Sequence, residues 1–548
     1  MVLESAESGR PVVKVRILDV FPFTSEGKRM GIIVQFCERL DEAPGPGPGP
    51  GPGPGAASGE IWFYQKGADT VMGPIVAAND WLDEETANMA REGLRTLVVG
   101  RKRLSAAEYG EFAARYREAS LAVGGGREAG MQAVVGRYLE RDLELLGVTG
   151  VEDKLQKDVK ASLELLRNAG IKIWMLTGDK VETARCVAVS SRLVGRGQYV
   201  HTVARLRGKE AAREHLDLLR AKADACLLID GESLATYLTH HRADFAAVAV
   251  RLPAVVACRC SPTQKAEVAR LIREHTGKRV CCIGDGGNDV SMIQAADVGV
   301  GIVGKEGRQA SLAADFSIEH FFHLTKLLVW HGRNSYKRSA KLAQFVIHRG
   351  LIVAVCQTVY SVALGFEPEG LYKDWLMVGY ATVYTALPVL SLVLDKDVDE
   401  NLASLYPELY KELTSGRSLS YRTFFVWVFV SVYQGCLIQG LAQLLTEVDG
   451  PRMVAVSYTA LVLNELLMVA VEITTWHWVM AASLVGTFLL FVGSVPFLGG
   501  YFDLAFLSTP GFYWRVAAIL AMSLVPTYAA KVIQRTMKPP SYRKVQGI

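Results

Sequence analysis

Six apolar segments crowd the C-terminal part of this chain, and they constrain its architecture more than any other feature. They run near 343–365, 376–394, 423–445, 452–472, 479–498 and 513–533. Each is close to the roughly 20 residues that an α-helix needs to cross a bilayer. The bland alternative is a set of buried core helices. Trp375, Trp427, Trp476, Trp478 and Trp514 lie near several segment ends, where aromatic rings anchor helices at the lipid–water interface, and this argues for six membrane spans. Basic residues set the orientation. Lys411, Arg417, Arg422, Lys531, Arg535, Lys538, Arg543 and Lys544 fall on one side, whereas the opposite loops carry little more than Lys373 and Arg452. The excess of positive charge predicts a cytosolic first half and two cytosolic termini.

Composition agrees with a divided molecule. A chain of 548 residues exceeds one compact domain, and half of its residues are hydrophobic, most densely beyond residue 340. A net charge of +4 on that length gives no reason to expect a nucleic-acid partner. The nine cysteines form no regular framework. Cys258-Arg259-Cys260 and Cys281-Cys282 lack paired C-x-x-C spacing, so buried reduced thiols are expected there rather than zinc. Met1 to Val20 is polar and mixed in charge, unlike a cleavable signal.

In the first half, alternation from Val12 to Phe36 reads as strands around a turn at Ser25-Glu26-Gly27. Six Pro-Gly dipeptides follow, Pro44 to Gly55. Their period of two excludes collagen, which needs glycine at every third position. Strand signals resume at Ile61-Trp62-Phe63-Tyr64, so the repeat reads as a functionally silent insertion into a β-hairpin turn. Residues 80–145 read as largely helical, with a break at Gly124-Gly125-Gly126. From about 150 to 305, strands alternate with helices. The strand candidates are Ile171-Leu176, Cys226-Ile229, Ala254-Cys258, Arg279-Ile283 and Val298-Ile302, and the pattern predicts a parallel α/β sheet covered on both faces.

Functional loops of such sheets leave the carboxyl ends of the strands. Thr177-Gly178-Asp179 follows one strand and Gly284-Asp285-Gly286-Gly287-Asn288-Asp289 follows another, so the two motifs are expected at one edge. Asp285 and Asp289 suit a hard cation such as Mg²⁺, which neutralises phosphate oxygens. Lys265, in Ser261-Pro262-Thr263-Gln264-Lys265, adds a point charge for the same phosphoryl group. Thr177-Gly178-Asp179 and Lys66-Gly67-Ala68-Asp69 are weak signals singly; the glycine-aspartate loop with Lys265 upstream and a membrane domain downstream is strong.

In combination and order these motifs resemble the P-type ATPases, and more narrowly the type IV branch, the phospholipid flippases. The resemblance covers the chain apart from the Pro-Gly run. It implies an α/β haloacid-dehalogenase-like phosphorylation domain over 146–330, a partial α+β nucleotide-binding domain over 1–145, a stalk over 331–342, a polytopic α-helical membrane domain over 343–533 and a cytosolic tail over 534–548. It implies ATP and Mg²⁺ as cofactors. Phe23, Lys66 and Arg95 match nucleotide contacts; read without the family, Phe23 could be plain core and Arg95 a helix cap. Thr177, Gly178 and Asp179 match the loop that hydrogen-bonds the transferred phosphoryl. Arg259 and Lys265 match a cationic pair, and Asp285, Asn288 and Asp289 the magnesium hinge. The stretches Asn334 to Ala340, Phe345 to Arg349 and Leu405 to Lys411, with Trp476-His477-Trp478 and Pro539-Pro540-Ser541-Tyr542, are most similar to single-subunit flippases of Golgi, trans-Golgi and endosomal membranes. That branch works without an accessory β-subunit.

Such pumps transfer phosphate to the aspartate of a D-K-T-G-T motif, which this sequence lacks. The match begins inside the nucleotide-binding domain, so the expectation is a C-terminal portion of a flippase, from a short isoform or a truncated gene model, inactive by itself. Two rivals stay open. A cation pump needs acids inside the membrane; Glu465 and Glu472 are the candidates, against interhelical pairing or an interfacial position, and His348 and Arg349 read as stalk or interface residues. A non-catalytic regulator of a full-length pump is the other.

Overall fold

The computed structural model describes residues 2–4, 11–24, 27–39, 59–121, 127–152, 154–195, 197–304, 308–373, 375–414 and 416–537. Two compact units emerge: Met1–Leu163 with Lys172–Phe321, and Glu164–Ile171 with Phe322–Ile548.

The first unit opens with a six-stranded antiparallel sheet in sequential order: β1 Val2–Glu4, β2 Pro11–Phe21, β3 Arg29–Arg39, β4 Ile61–Ala68, β5 Arg95–Leu104 and β6 Glu144–Val151. β3 and β4 form a hairpin with Gln35 opposite Ile61, as expected for an inserted Pro-Gly run. The run itself, like Ser25-Glu26 and Gly124-Gly125-Gly126, lies outside the described residues. The expectation of a largely helical 80–145 needs correction. Helices Leu82–Arg91, Ala106–Ser120 and Arg127–Tyr138 are present, but β5 lies among them and pairs with both β4 and β6. Thr96, Val98 and Val99 carry the β-branched bias, and long-range pairing completes the strand.

Alternation along β4 gives this sheet two unlike faces. Ile61 and Phe63 point into a core with Ile33, Val98, Leu104 and Phe112. Trp62, Tyr64 and Lys66 occupy the other face, where Lys66 is exposed. One side of an antiparallel sheet can face water in this way.

The α/β part carries seven parallel strands in two ladders. The first is ordered β7 Trp174–Leu176, β10 Val255–Cys258, β9 Cys226–Asp230 and β8 Val200–Val203; the second is β11 Cys281–Gly284, β12 Val298–Ile302 and β13 Phe316–Ile318. The sequence suggested one sheet and omitted β8 and β13. In the larger ladder Leu227, Ile229 and Val255 join one core, while Cys226, Leu228 and Val256 join another on the opposite face. Burial on both sides explains why β9 is apolar without alternation.

The second unit contains six helices long and apolar enough to cross a membrane: His323–Ala363, Trp375–Leu394, Tyr421–Leu445, Pro451–Glu472, Trp478–Leu498 and Pro510–Met537. They are numbered here as spans 1 to 6. The expected stalk is continuous with span 1, and its charges are paired. Arg333, 1% exposed, donates to Asp397 at 2.9 Å, to Glu412 at 3.1 Å and to the Leu409 carbonyl. Lys337 also meets Glu412, at 3.2 Å. Span 2 is irregular: a π-helical stretch Gly379–Tyr384 precedes Thr385, and Pro388 follows. Proline removes a donor and breaks the ladder; Thr385 donates its hydroxyl to the Tyr380 carbonyl and Arg349 donates to the carbonyls of Tyr380 and Ala381. Glu472 pairs with Lys531 between spans 4 and 6, one of the alternatives left open. Trp427 sits inside span 3 against Phe345 and His348 rather than at an end.

Candidate functional site

The site is built from strand ends. β7 and β10 run parallel with Leu176 opposite Ala257, so the loops that follow them leave the same edge. Backbone bonds tie these loops together: Arg259 N donates to Asp179 O at 2.9 Å, and Cys260 N donates to Thr177 O at 3.0 Å. The Thr177 hydroxyl donates to Asp179 Oδ2 at 2.9 Å and accepts from Asp179 N at 3.1 Å, which fixes the Thr177-Gly178-Asp179 turn. Arg259 adopts a left-handed conformation, φ 51°. Its carbonyl approaches Gly231 so closely that a Cβ there would lie 2.5 Å away, which is why glycine opens the helix after β9.

Helix Pro262–Thr276 starts from this loop. Ser261 and Gln264 form a reciprocal capping box and Pro262 occupies the first turn, a combination that satisfies otherwise orphaned N–H groups. Lys265 follows one turn in, 3% exposed, and its ammonium donates to Asp289 Oδ1 at 2.8 Å. Asp289 belongs to the loop after β11. The structure thereby joins the loops after β7, β10 and β11 through one continuous set of contacts, as the strand-end argument requires. Gly284 makes room for it: a Cβ there would sit 2.4 Å from Asp289 Cβ. Asp285 and Asn288 are exposed in the same loop.

Phe23, Lys66 and Arg95 sit on the six-stranded sheet. Phe23 is 61% exposed just beyond the end of β2, so it is not core. Lys66 lies opposite Met30 on β3 and Val99 on β5. Arg95 opens β5 and shares a face with Val99 and Lys66 by strand alternation. Its guanidinium lies 3.4 Å from Asp179 Oδ1. The last residue of the K-G-A-D motif, Asp69, pairs with Lys180, the residue after Asp179. Neither ion pair was legible in the sequence, because each joins residues separated by more than 80 positions.

Cys258, Cys260 and Cys282 behave as core, whereas Cys281, expected to be buried, is exposed at the start of β11. Cys258 donates to the Ile229 carbonyl at 3.3 Å. Burial, reinforced by Cys260 and Asp230, pushes its thiol up to about 12, and burial lifts Cys260 to about 11.

For a divalent cation the donor set is sparse but suitable. Among the described residues no group of three or more His, Cys, Asp or Glu could enclose a metal. Mg²⁺ does not require one, since it keeps several waters and takes one or two carboxylates plus phosphate oxygens. Asp285 offers an exposed carboxylate on the strand-end loop, and Asp289 keeps Oδ2 beside the Lys265 contact.

Comparison with known proteins places the chain. Residues 311–540 match the family model for the phospholipid-translocating P-type ATPase C-terminal region. The chain is 60% identical, over 98% of its length and 45% of the relative's, to phospholipid-transporting ATPase NEO1 of Saccharomyces cerevisiae. It is 53% identical to phospholipid-transporting ATPase neo1 of Schizosaccharomyces pombe, over 97% of this chain and 50% of that one. The probable phospholipid-transporting ATPase IIB of Homo sapiens is 52% identical, over 97% of this chain and 46% of that protein. The chain thus spans about half the length of the curated relatives it matches. Residues 311–540 thus belong to the phospholipid-translocating P-type ATPase family, and the similarity to curated phospholipid-transporting ATPases runs along nearly all of the chain.

Proposed function

We propose that this chain carries the nucleotide-facing, phosphoryl-handling and C-terminal membrane parts of an ATP-driven phospholipid translocase. Lipid would move from the exoplasmic or lumenal leaflet to the cytosolic one. The observation that carries the reading is the similarity, over nearly the whole chain, to proteins named as phospholipid-transporting ATPases. The acid-free centres of spans 1 and 2 support it, since an uncharged path suits a large amphiphile better than a bare cation.

Within this reading the open face of the six-stranded sheet takes ATP, with adenine against Phe23 and phosphates toward Lys66 and Arg95. Thr177, Gly178 and Asp179 orient the transferred phosphoryl by hydrogen bonds. Lys265, held by Asp289, supplies a fixed positive charge that needs no reorganisation during transfer, and Arg259 completes the cationic side. Asp285 and Asp289 would hold Mg²⁺, with Asn288 beside them; when bound, the ion offsets the repulsion between an attacking carboxylate and the phosphate. In this family that carboxylate belongs to a D-K-T-G-T segment, which this sequence does not contain. The protein works in Golgi, trans-Golgi and endosomal membranes without an accessory β-subunit, with both termini cytosolic, a placement supported by the basic residues around Lys411 and Arg422.

The test is reconstitution, in vesicles of defined lipid with ATP and Mg²⁺, of a full-length relative that carries the D-K-T-G-T segment. Lipid-stimulated hydrolysis and movement of a labelled phospholipid to the ATP-facing leaflet are expected. Stimulation by Na⁺, K⁺ or Ca²⁺ instead of lipid would overturn the reading in favour of a cation pump.

A further inference from the structure

Polar side chains buried in the membrane unit mostly satisfy one another. Ser457 donates to Gln439 at 2.6 Å, Asn464 donates to Gln434 at 3.1 Å, and Ser523 donates to Asn464 at 3.0 Å. Glu465, 1% exposed in span 4, stands apart: both carboxyl oxygens are buried without a hydrogen-bond partner among the described residues. The Nε2 atom of His348, on span 1 and fully buried, is orphaned in the same way. These two orphans face each other, with Nε2 3.4 Å from Glu465 Oε1.

The protons can be counted from the neighbours. His348 Nδ1 lies 2.7 Å from Ser431 Oγ, and the Ser431 hydroxyl donates to the Trp427 carbonyl, also at 2.7 Å. A hydroxyl has one proton to give. With the Ser431 proton on the Trp427 carbonyl, Ser431 accepts from His348, Nδ1 carries the hydrogen, and in the neutral ring Nε2 presents a lone pair to Glu465. A carboxylate oxygen and an imidazole lone pair are both acceptors, and at this separation they repel. One proton between them removes the conflict, as a carboxylic O–H donating to Nε2 or as an imidazolium N–H donating to the carboxylate. Both arrangements leave the pair neutral overall. With no proton the site would hold a carboxylate in an apolar interior without a hydrogen bond, which burial strongly disfavours.

Among the described residues Arg349 is the cation that acts on Glu465, but its guanidinium hydrogen-bonds the Tyr380 and Ala381 carbonyls of span 2 rather than the carboxyl. Tyr380 donates its hydroxyl to the Arg349 carbonyl at 2.9 Å, and the Cys356 thiol is turned to the Gly435 carbonyl. Spans 3 and 6 face the region with the neutral Ser431, Gln434 and Ser523.

We propose that Glu465 and His348 form an intramembrane proton-binding site that holds one exchangeable proton between spans 1 and 4. A movement that parts the two spans would leave each group with a different proton affinity, so the site couples proton uptake and release to helix motion. This goes beyond lipid translocation and does not depend on it.

The experiment is infrared difference spectroscopy across a pH titration of the protein in lipid nanodiscs, in H₂O and D₂O, with E465Q and H348Q. The expected result is a deuterium-sensitive band set, from a carboxylic acid or an imidazolium, lost in E465Q and displaced in H348Q. The glutamine of E465Q keeps the shape and can donate to Nε2. H348Q probes the bond from the other side, so a folding failure in one variant leaves the test decidable. Spectra unchanged by either substitution, or bands that follow Na⁺ or K⁺ rather than pH, would overturn the proposal.

Discussion

The ammonium of Lys265 lies 2.8 Å from Oδ1 of Asp289, and their side chains are only 4% and 11% exposed. This contact locks the first turn of helix Pro262–Thr276 to the loop after β11. It holds the cationic and acidic halves of the site in register before any phosphate arrives.

Removing one member of that pair should be costly. Lys265→Met leaves a buried carboxylate without its counter-charge, a change that typically costs roughly 3–5 kcal/mol. Thermal unfolding should show a lower midpoint for K265M, partly restored by adding Asp289→Asn. An unchanged midpoint in K265M would mean that the pair contributes no structural tie.

Phe23 and Lys66 should separate binding from stability. Both are exposed, so Phe23→Ala and Lys66→Ala should each shift stability by less than about 0.5 kcal/mol. Stacking of a base on an aromatic ring is worth about 1–3 kcal/mol, so F23A should weaken a fluorescent ATP analogue roughly 5- to 150-fold. Titration of that analogue decides the matter, and equal affinity in F23A would remove Phe23 from the site.

Arg333 ties span 1 to the segments that follow span 2. Arg333→Lys keeps the charge but loses the planar fork that reaches Asp397, Glu412 and the Leu409 carbonyl. Roughly 1.5–3 kcal/mol is expected for each charged hydrogen bond lost, seen as faster proteolysis of the 395–414 region.

Glu412 gives this tie a pH dependence. Burial resists its ionisation, but Lys337 and Arg333 outweigh that and hold its carboxyl below the usual glutamate range. A depressed carboxyl stabilises the fold fully above the unfolded glutamate value, and the contribution fades as pH falls through the folded value. Acid should therefore destabilise the native protein more than Glu412→Gln; parallel pH profiles would contradict this.

Cysteine reactivity should follow burial. Cys258, Cys260 and Cys282 are buried, and their thiols are pushed up to about 12, 11 and 12. The thiolate is the nucleophile, so these three should resist iodoacetamide in native protein while exposed Cys37 reacts. Peptide mass spectrometry after brief labelling reads this out.

Six spans, strands near Leu176, Cys258 and Ile283, and the linking of the loops that follow them were legible in the sequence, although the strands form two ladders rather than the one sheet expected. Each depends on hydrophobic period, segment length or glycine placement, which are properties of contiguous residues. The same reasoning missed β5 among helices, because its Thr-Leu-Val-Val run acquires strand character only between β4 and β6. It also missed β8 and β13, short strands that parallel pairing completes. The pairs Arg95–Asp179, Lys180–Asp69 and His348–Glu465 belong to the tertiary structure alone. A charge in a sequence announces that it needs a partner, but which partner it finds depends on distant elements packing together, and no local pattern encodes that distance.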